Sequence, residues 1–156
     1  MGISRHPLFP DPDRDKDVPV DAVLVERLQS SFATMQPAAA QIAHGFYTLL
    51  FARRPDFRAM FPEDMAAQEK KLIATLAFVV EHLRKPAAVS VRLADLGALH
   101  QGLHVKPEHY PIVCDALVTA MMKHSPEPLG PDVERDWKNA LLLVSQQMIR
   151  GAHARQ

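Results

Sequence analysis

The sequence predicts an all-α domain of six or seven helices, and three observations predict it. Apolar residues recur at three- and four-residue intervals through most of the chain, the period of a helix with one buried face. The 13 prolines fall largely between those periodic runs, where they punctuate helices. No run alternates apolar and polar residues, and no Asn-Gly hairpin turn occurs. With 156 residues, 47% of them hydrophobic and 23% charged, the chain suits one core. Only 6% are aromatic, so that core is mainly aliphatic.

Each element is marked by its punctuation. Residues 1–19 hold Pro7, Pro10, Pro12 and Pro19 and the alternating Asp11, Asp13, Asp15 and Asp17. They read as a flexible leader, with a docking role through Leu8 and Phe9 as the alternative. Residues 20–156 form the folded domain. A first helix spans Val20–Gln36, carrying Val23, Leu24, Leu28, Phe32 and Met35, with Asp21 as its cap. Pro37 opens a second, 37–52, with Ile42, Phe46, Leu49 and Leu50. A short segment, Asp56–Phe61, ends at Pro62. The third long helix runs from Glu63 to Arg84 on a stripe of Leu72, Leu76, Val79 and Leu83, and Lys85-Pro86 stops it. The fourth covers Val89–Leu103, with Leu93, Leu96, His100 and Leu103 on one face. Pro107 starts a fifth, to Lys123, and a turn cluster of Pro126, Pro128, Gly130 and Pro131 precedes the last, Asp132–Ala152.

Composition excludes several function classes. Lys plus Arg equals Asp plus Glu at 18 each, which argues against a nucleic-acid binder. A single cysteine, Cys114, excludes an internal disulfide and a cysteine-based zinc cluster. Its apolar surroundings, Pro111 to Val118, make it a buried packing residue. No phosphate loop, nucleophile elbow or His-Glu-x-x-His motif is present. No stretch reaches the roughly 20 apolar residues that span a bilayer. Nor does the N-terminus carry a signal-peptide run, so a cytoplasmic location is expected.

The informative residue is His100. An imidazole on an aliphatic face is costly unless its nitrogens are satisfied. A satisfied core histidine is one reading. The other is a ligand for the metal of a planar, mostly apolar cofactor, with a polar side chain on the opposite wall.

Two segments carry a family resemblance. Residues 44–61, HisGlyPheTyrThrLeuLeuPheAlaArgArgProAspPheArgAlaMetPhe, place Phe61 14 residues after Tyr47. Residues 99–113, LeuHisGlnGlyLeuHisValLysProGluHisTyrProIleVal, join His100 to a Pro-Glu-x-Tyr motif ending at Tyr110. Gln68 precedes His100 by 32 residues. This pattern resembles the bacterial globins, meaning flavohaemoglobin globin domains and their single-domain relatives, over about residues 20–150.

The resemblance implies a three-on-three helical fold around haem b. It makes His100 the iron ligand, Phe61 the packing residue at the cofactor edge, and Tyr47 and Gln68 the distal pair, with Leu72 one turn on. A different alignment of the loop before Gln68 would put Lys71 or Glu69 in its place. Leu96, Leu99, Val105, Tyr110 and Leu141 complete the cofactor lining. His104, His109 and His124 are left at the surface or rim. Two departures stand out. Leu99 replaces the lysine that precedes the proximal histidine in flavohaemoglobins, and Leu141 replaces a tyrosine of the last helix. The outer nitrogen of His100 is therefore expected to donate to a backbone carbonyl, that of Leu96, rather than to an anionic partner.

The implied activity is reversible O₂ binding, with CO and NO as further ligands, by a monomer or dimer. Nitric oxide consumption is expected to need an external reductase, since residues 1–156 show no flavin or nicotinamide segment. The alternatives are a haem sensor acting through a partner and a haem-free interaction module.

Overall fold

The structure, a computed structural model, describes residues 21–154. The expected leader, 1–19, lies outside the described residues. Six α-helices and two 3₁₀ turns make up the described chain, without a strand. They are α1 (Ala22–Met35), α2 (Ala39–Arg53), α3 (Ala66–Glu81), α4 (Pro86–Gly102), α5 (His109–His124) and α6 (Pro131–Ala154). The 3₁₀ turns cover Gln36–Ala38 and Pro55–Met60. No helix among the described residues is long and apolar enough to cross a membrane.

The boundaries differ from the periodicity in ways that have local causes. Asp21 caps α1 as expected, its carboxylate accepting from the Val23 and Leu24 amides at 3.1 Å. Pro37 sits in a 3₁₀ turn rather than opening α2. α3 begins three residues later than the sequence suggests, where the Asp64 side chain accepts the Ala66 amide at 3.0 Å. It ends at Glu81 with a turn through His82 to Lys85. Pro86, expected as a stop, is the first residue of α4, a position where its missing N–H costs nothing.

Two scaffolds hold the molecule. The first ties α1 to α6. The half-exposed Arg27 makes a bidentate pair with buried Asp136 at 2.7 and 3.1 Å. The Trp137 indole donates to Ser31 Oγ at 2.9 Å, and Ser31 directs its own proton to carbonyls of its helix. The second scaffold is the packing of α2 on α5, of α5 on α6 and, most extensive of all, of α4 on α6. That last crossing is a backbone contact. A β-carbon at Gly97 would overlap the Met148 carbonyl, and one at Gly151 would overlap the Ala94 backbone. α3 rests instead on α1 and α2.

α4 ends in a reversal just beyond His100. His104 takes a left-handed conformation, φ 65°. The Val105 amide bonds back to the His100 carbonyl and the His104 amide to that of Gln101, both at 3.0 Å. This is a Schellman motif, and it returns Val105 onto the turn that carries His100.

Both backbone features can be tested by substitution. Gly97→Ala should destabilise the protein by at least the roughly 1–3 kcal/mol typical of overpacking, because the neighbour is backbone and cannot rotate away. Chemical denaturation measures it, and an unchanged midpoint would mean that α4 does not touch α6 there. His104→Gly should stabilise by up to about 1 kcal/mol, since left-handed geometry strains any residue bearing a β-carbon. A lowered thermal midpoint would contradict the assigned reversal.

Candidate functional site

α3 and α4 are consecutive in the chain but seated on different supports, and they do not pack along each other. They meet at a corner, where the Arg92 guanidinium lies 4.9 Å from the centre of the Phe78 ring. The sequence-predicted residues lie mainly on these two helices and on α2, which supports α3.

The α2–α3 wall carries the polar pair. Tyr47 is buried on α2 within a cluster of rings: Phe46 at 4.7 Å, Phe61 at 5.4 Å and Phe51 at 5.9 Å between centroids. Phe51 is absent from the sequence-predicted set, although its place one turn after Tyr47 is a spacing that could have flagged it. Gln68, on the first turn of α3, donates its amide to the Tyr47 hydroxyl at 3.3 Å. The two residues are 21 positions apart, and the structure brings them together. Glu69 and Lys71 do not take that place. Glu69 instead meets His44 of α2 at 3.0 Å. Burial pushes the Tyr47 phenol up from its ordinary range, while the Gln68 hydrogen bond pulls it down and the Glu69 charge raises it. The hydroxyl therefore keeps its proton at neutral pH. It accepts from Gln68, leaving that proton free for a ligand.

The loop between the 3₁₀ turn and α3 is held by Arg58, which sequence reading does not single out. Its guanidinium donates to the Phe61, Pro62 and Glu63 carbonyls at 3.4, 2.9 and 3.0 Å and lies over the Phe51 ring. Phe61 is thereby set against Tyr47 and Phe51.

The α4 wall carries His100. Its Nδ1 lies 2.8 Å from the Leu96 carbonyl, as the two leucine replacements suggest. A carbonyl only accepts, so Nδ1 holds the ring proton and Nε2 keeps a lone pair. Nε2 bonds to no other described residue. Burial pulls the imidazole below the usual histidine range, opposed by the Leu96 bond. The Tyr110 ring lies 6.3 Å away and nearly parallel. Its hydroxyl bonds to no described residue, and burial raises its phenol.

Leu72, Leu96 and Val105 are half-buried apolar residues, and Leu141 is buried on α6. Leu99 stands apart. It is 60% exposed, about 100° around the helix from His100. Cys114 is half-buried against Ser145 Oγ at 3.2 Å, and burial pushes its thiol up, as suits an inert packing residue. His109 packs on Phe57, and His124 beside Gly45. No cluster of acidic, histidine and cysteine side chains suited to a metal ion exists among the described residues.

Residues 44–148 match the family model described as Globin. A flavohemoprotein of Vibrio cholerae is 22% identical over 125 residues, covering 78% of this chain and 32% of that protein. A globin-like protein of Aquifex aeolicus is 24% identical over 124 residues, covering 78% of this chain and 86% of its own length. The chain thus spans about a third of the Vibrio flavohemoprotein. Two solved structures share the fold. One is an engineered carbene transferase derived from a Rhodothermus marinus protein, with TM-score 0.76, 21% identity and coverage of 86% of this chain and 94% of that one. The other is a bacterial globin from Campylobacter jejuni, with TM-score 0.75, 18% identity and coverage of 85% and 96%.

Proposed function

The chain belongs to the globin family, and on that premise we propose that it is a haem b globin that reversibly binds O₂, with His100 as the iron ligand. The observation that carries the reading is the protonation pattern of His100. Its proton is committed to the Leu96 carbonyl, which leaves Nε2 with an unshared lone pair on a half-buried ring. Burial favours the neutral imidazole, the form that coordinates a metal. The residues present fit the group: a nitrogen donor on α4, half-buried apolar residues around it, and a hydrogen-bonding pair on the α2–α3 wall. When bound, haem supplies an iron centre that takes diatomic gases.

The chain's own residues set the selectivity. Tyr47 presents an O–H whose oxygen already accepts from Gln68, so its remaining preference is to donate to a ligand. Phe46, Phe51 and Phe61 hold its ring in place and exclude water, which strengthens that hydrogen bond. A polarised ligand such as O₂ gains more from it than CO does. The Leu96 carbonyl is a neutral acceptor, so no carboxylate draws the proton from His100 and enriches the iron. That favours a carrier over peroxidase chemistry. Nitric oxide consumption with an external reductase is the associated activity, supported by the likeness to flavohemoproteins.

Two outcomes test this reading. His100→Ala should lose most of the haem, read as the ratio of Soret to protein absorbance, because it removes the only protein bond to iron. Full haem content with an unaltered ferrous spectrum would remove His100 from the role. Tyr47→Phe should cost about 1.5–3 kcal/mol of O₂ binding, the range for hydrogen bonds with charged character. That corresponds to O₂ dissociation about tenfold faster or more. Stopped-flow kinetics should show a much smaller effect on CO, and equal effects on both gases would indicate steric rather than hydrogen-bonding control.

A further inference from the structure

An open groove between α1 and the α5–α6 loop has no part in the proposed function. Val23, Leu129 and Val133 supply its apolar lining, and Glu26, Arg27 and Glu127 its charge. Its volume is about 430 Å³, within the roughly 300–1,000 Å³ of ligand-sized clefts. Val23 is 62% exposed, so the apolar lining is open to an occupant. The Arg27 charge is already met by Asp136. Glu26 and Glu127 form no ion pair among the described residues, which leaves the groove with a negative surplus.

A fitting occupant is apolar in part and cationic in part. It must also need no backbone partners, because α1 spends its own backbone bonds within the helix and offers no strand edge. A segment of this chain has that chemistry and is tethered beside the groove. Residues 4–10 read SerArgHisProLeuPhePro, with Arg5 as the cation and Leu8 and Phe9 as the apolar surface. Pro7 and Pro10 bias His6 and Phe9 toward extended backbone. Extended proline-rich backbone stays solvated and asks for no partner. Residues 11–17 carry four aspartates against Arg14 and Lys16, so Glu26 and Glu127 repel that stretch and favour the one before it. The described chain begins at Asp21, two residues before Val23. Residues 11–20 reach up to roughly 33 Å when extended. Along α1, Val23 to Thr34 spans only about 17 Å, so the whole groove is within reach. A short tether holds its segment at roughly millimolar effective concentration, so weak contacts suffice.

We propose that residues 4–10 dock in the groove between α1 and the α5–α6 loop of their own chain. Arg5 answers Glu26 and Glu127, while Leu8 and Phe9 cover Val23, Leu129 and Val133. Docked there, the segment shields the open side of the Arg27–Asp136 pair and reinforces the tie between α1 and α6. None of this depends on the haem-globin reading.

The test uses the full-length protein with ¹³C-labelled methyl groups, kept diamagnetic as its ferrous CO complex. Nuclear Overhauser cross-peaks are expected between the Phe9 ring and the methyls of Val23, Leu129 and Val133. The double change Leu8→Ser and Phe9→Ser should shift those methyls and leave the buried Met148 methyl where it is. Arg5→Glu should weaken the wild-type cross-peaks several-fold, and adding Glu26→Lys and Glu127→Lys to the same chain should restore them. Absent cross-peaks, or groove methyls that ignore the double change, overturn the proposal. Cross-peaks unaltered by Arg5→Glu also overturn it, because the assigned charge pairing then contributes nothing. Cross-peaks found only between labelled and unlabelled copies put the segment of a second molecule in the groove and overturn docking within one chain. Purified protein that takes up no haem overturns the functional reading instead, and the same cross-peaks in that protein still decide docking.

Discussion

Backbone contact at Gly97 and Gly151 determines where α4 can lie, and the rest of the site is built to that placement. Two helices approach this closely only where one of them presents no side chain. Once α4 is seated on α6, His100 is fixed three residues beyond Gly97, and its ring is oriented by the Leu96 carbonyl one turn back. The left-handed residue at His104 then turns the chain over that same turn. The whole α4 wall thus depends on main-chain geometry, which tolerates little adjustment.

The opposite wall has a different physical character. α3 is held to α2 through side chains: Gln68 on Tyr47, His44 on Glu69, and Arg58 across the carbonyls that lead into the helix. Each such link is worth less than a tightly packed helix crossing, and the exposed His44 pair adds little to stability. The two walls share no extensive contact. The His100 side is thus held by main-chain packing and the Tyr47 side by side-chain links.

Much of this is legible in the sequence, because it depends on spacing. Helical periodicity and proline placement give six or seven helices, of which the six long ones form with ends displaced by a few residues, and Asp21 is recognisable as a cap from its residue type alone. Tyr47, Gln68 and His100 can be identified as a set, and the first two do meet. The features that escape a sequence reading depend on tertiary proximity. Gly97 in mid-helix looks like a propensity penalty until the Met148 carbonyl is found against it. Arg58 looks like one more surface cation until its three carbonyl partners are in place. His104 carries no signal for positive φ, since glycine would be the residue expected there. Pro86 reads as the end of one helix when it is the start of the next, because proline is compatible with both roles.

The α4–α6 crossing also bears on how the molecule is made. A chain emerging from the ribosome exposes α4 well before α6, since synthesis runs from the N-terminus at roughly 5–20 residues per second. Until α6 emerges, the groove that receives Gly97 does not exist, and neither does the partner that pairs with Arg27. The nascent helix carrying His100 must therefore wait, unsupported, for the last element of the fold. The seating of α4 is thus ordered in time by connectivity, since its partner is the last helix of the fold.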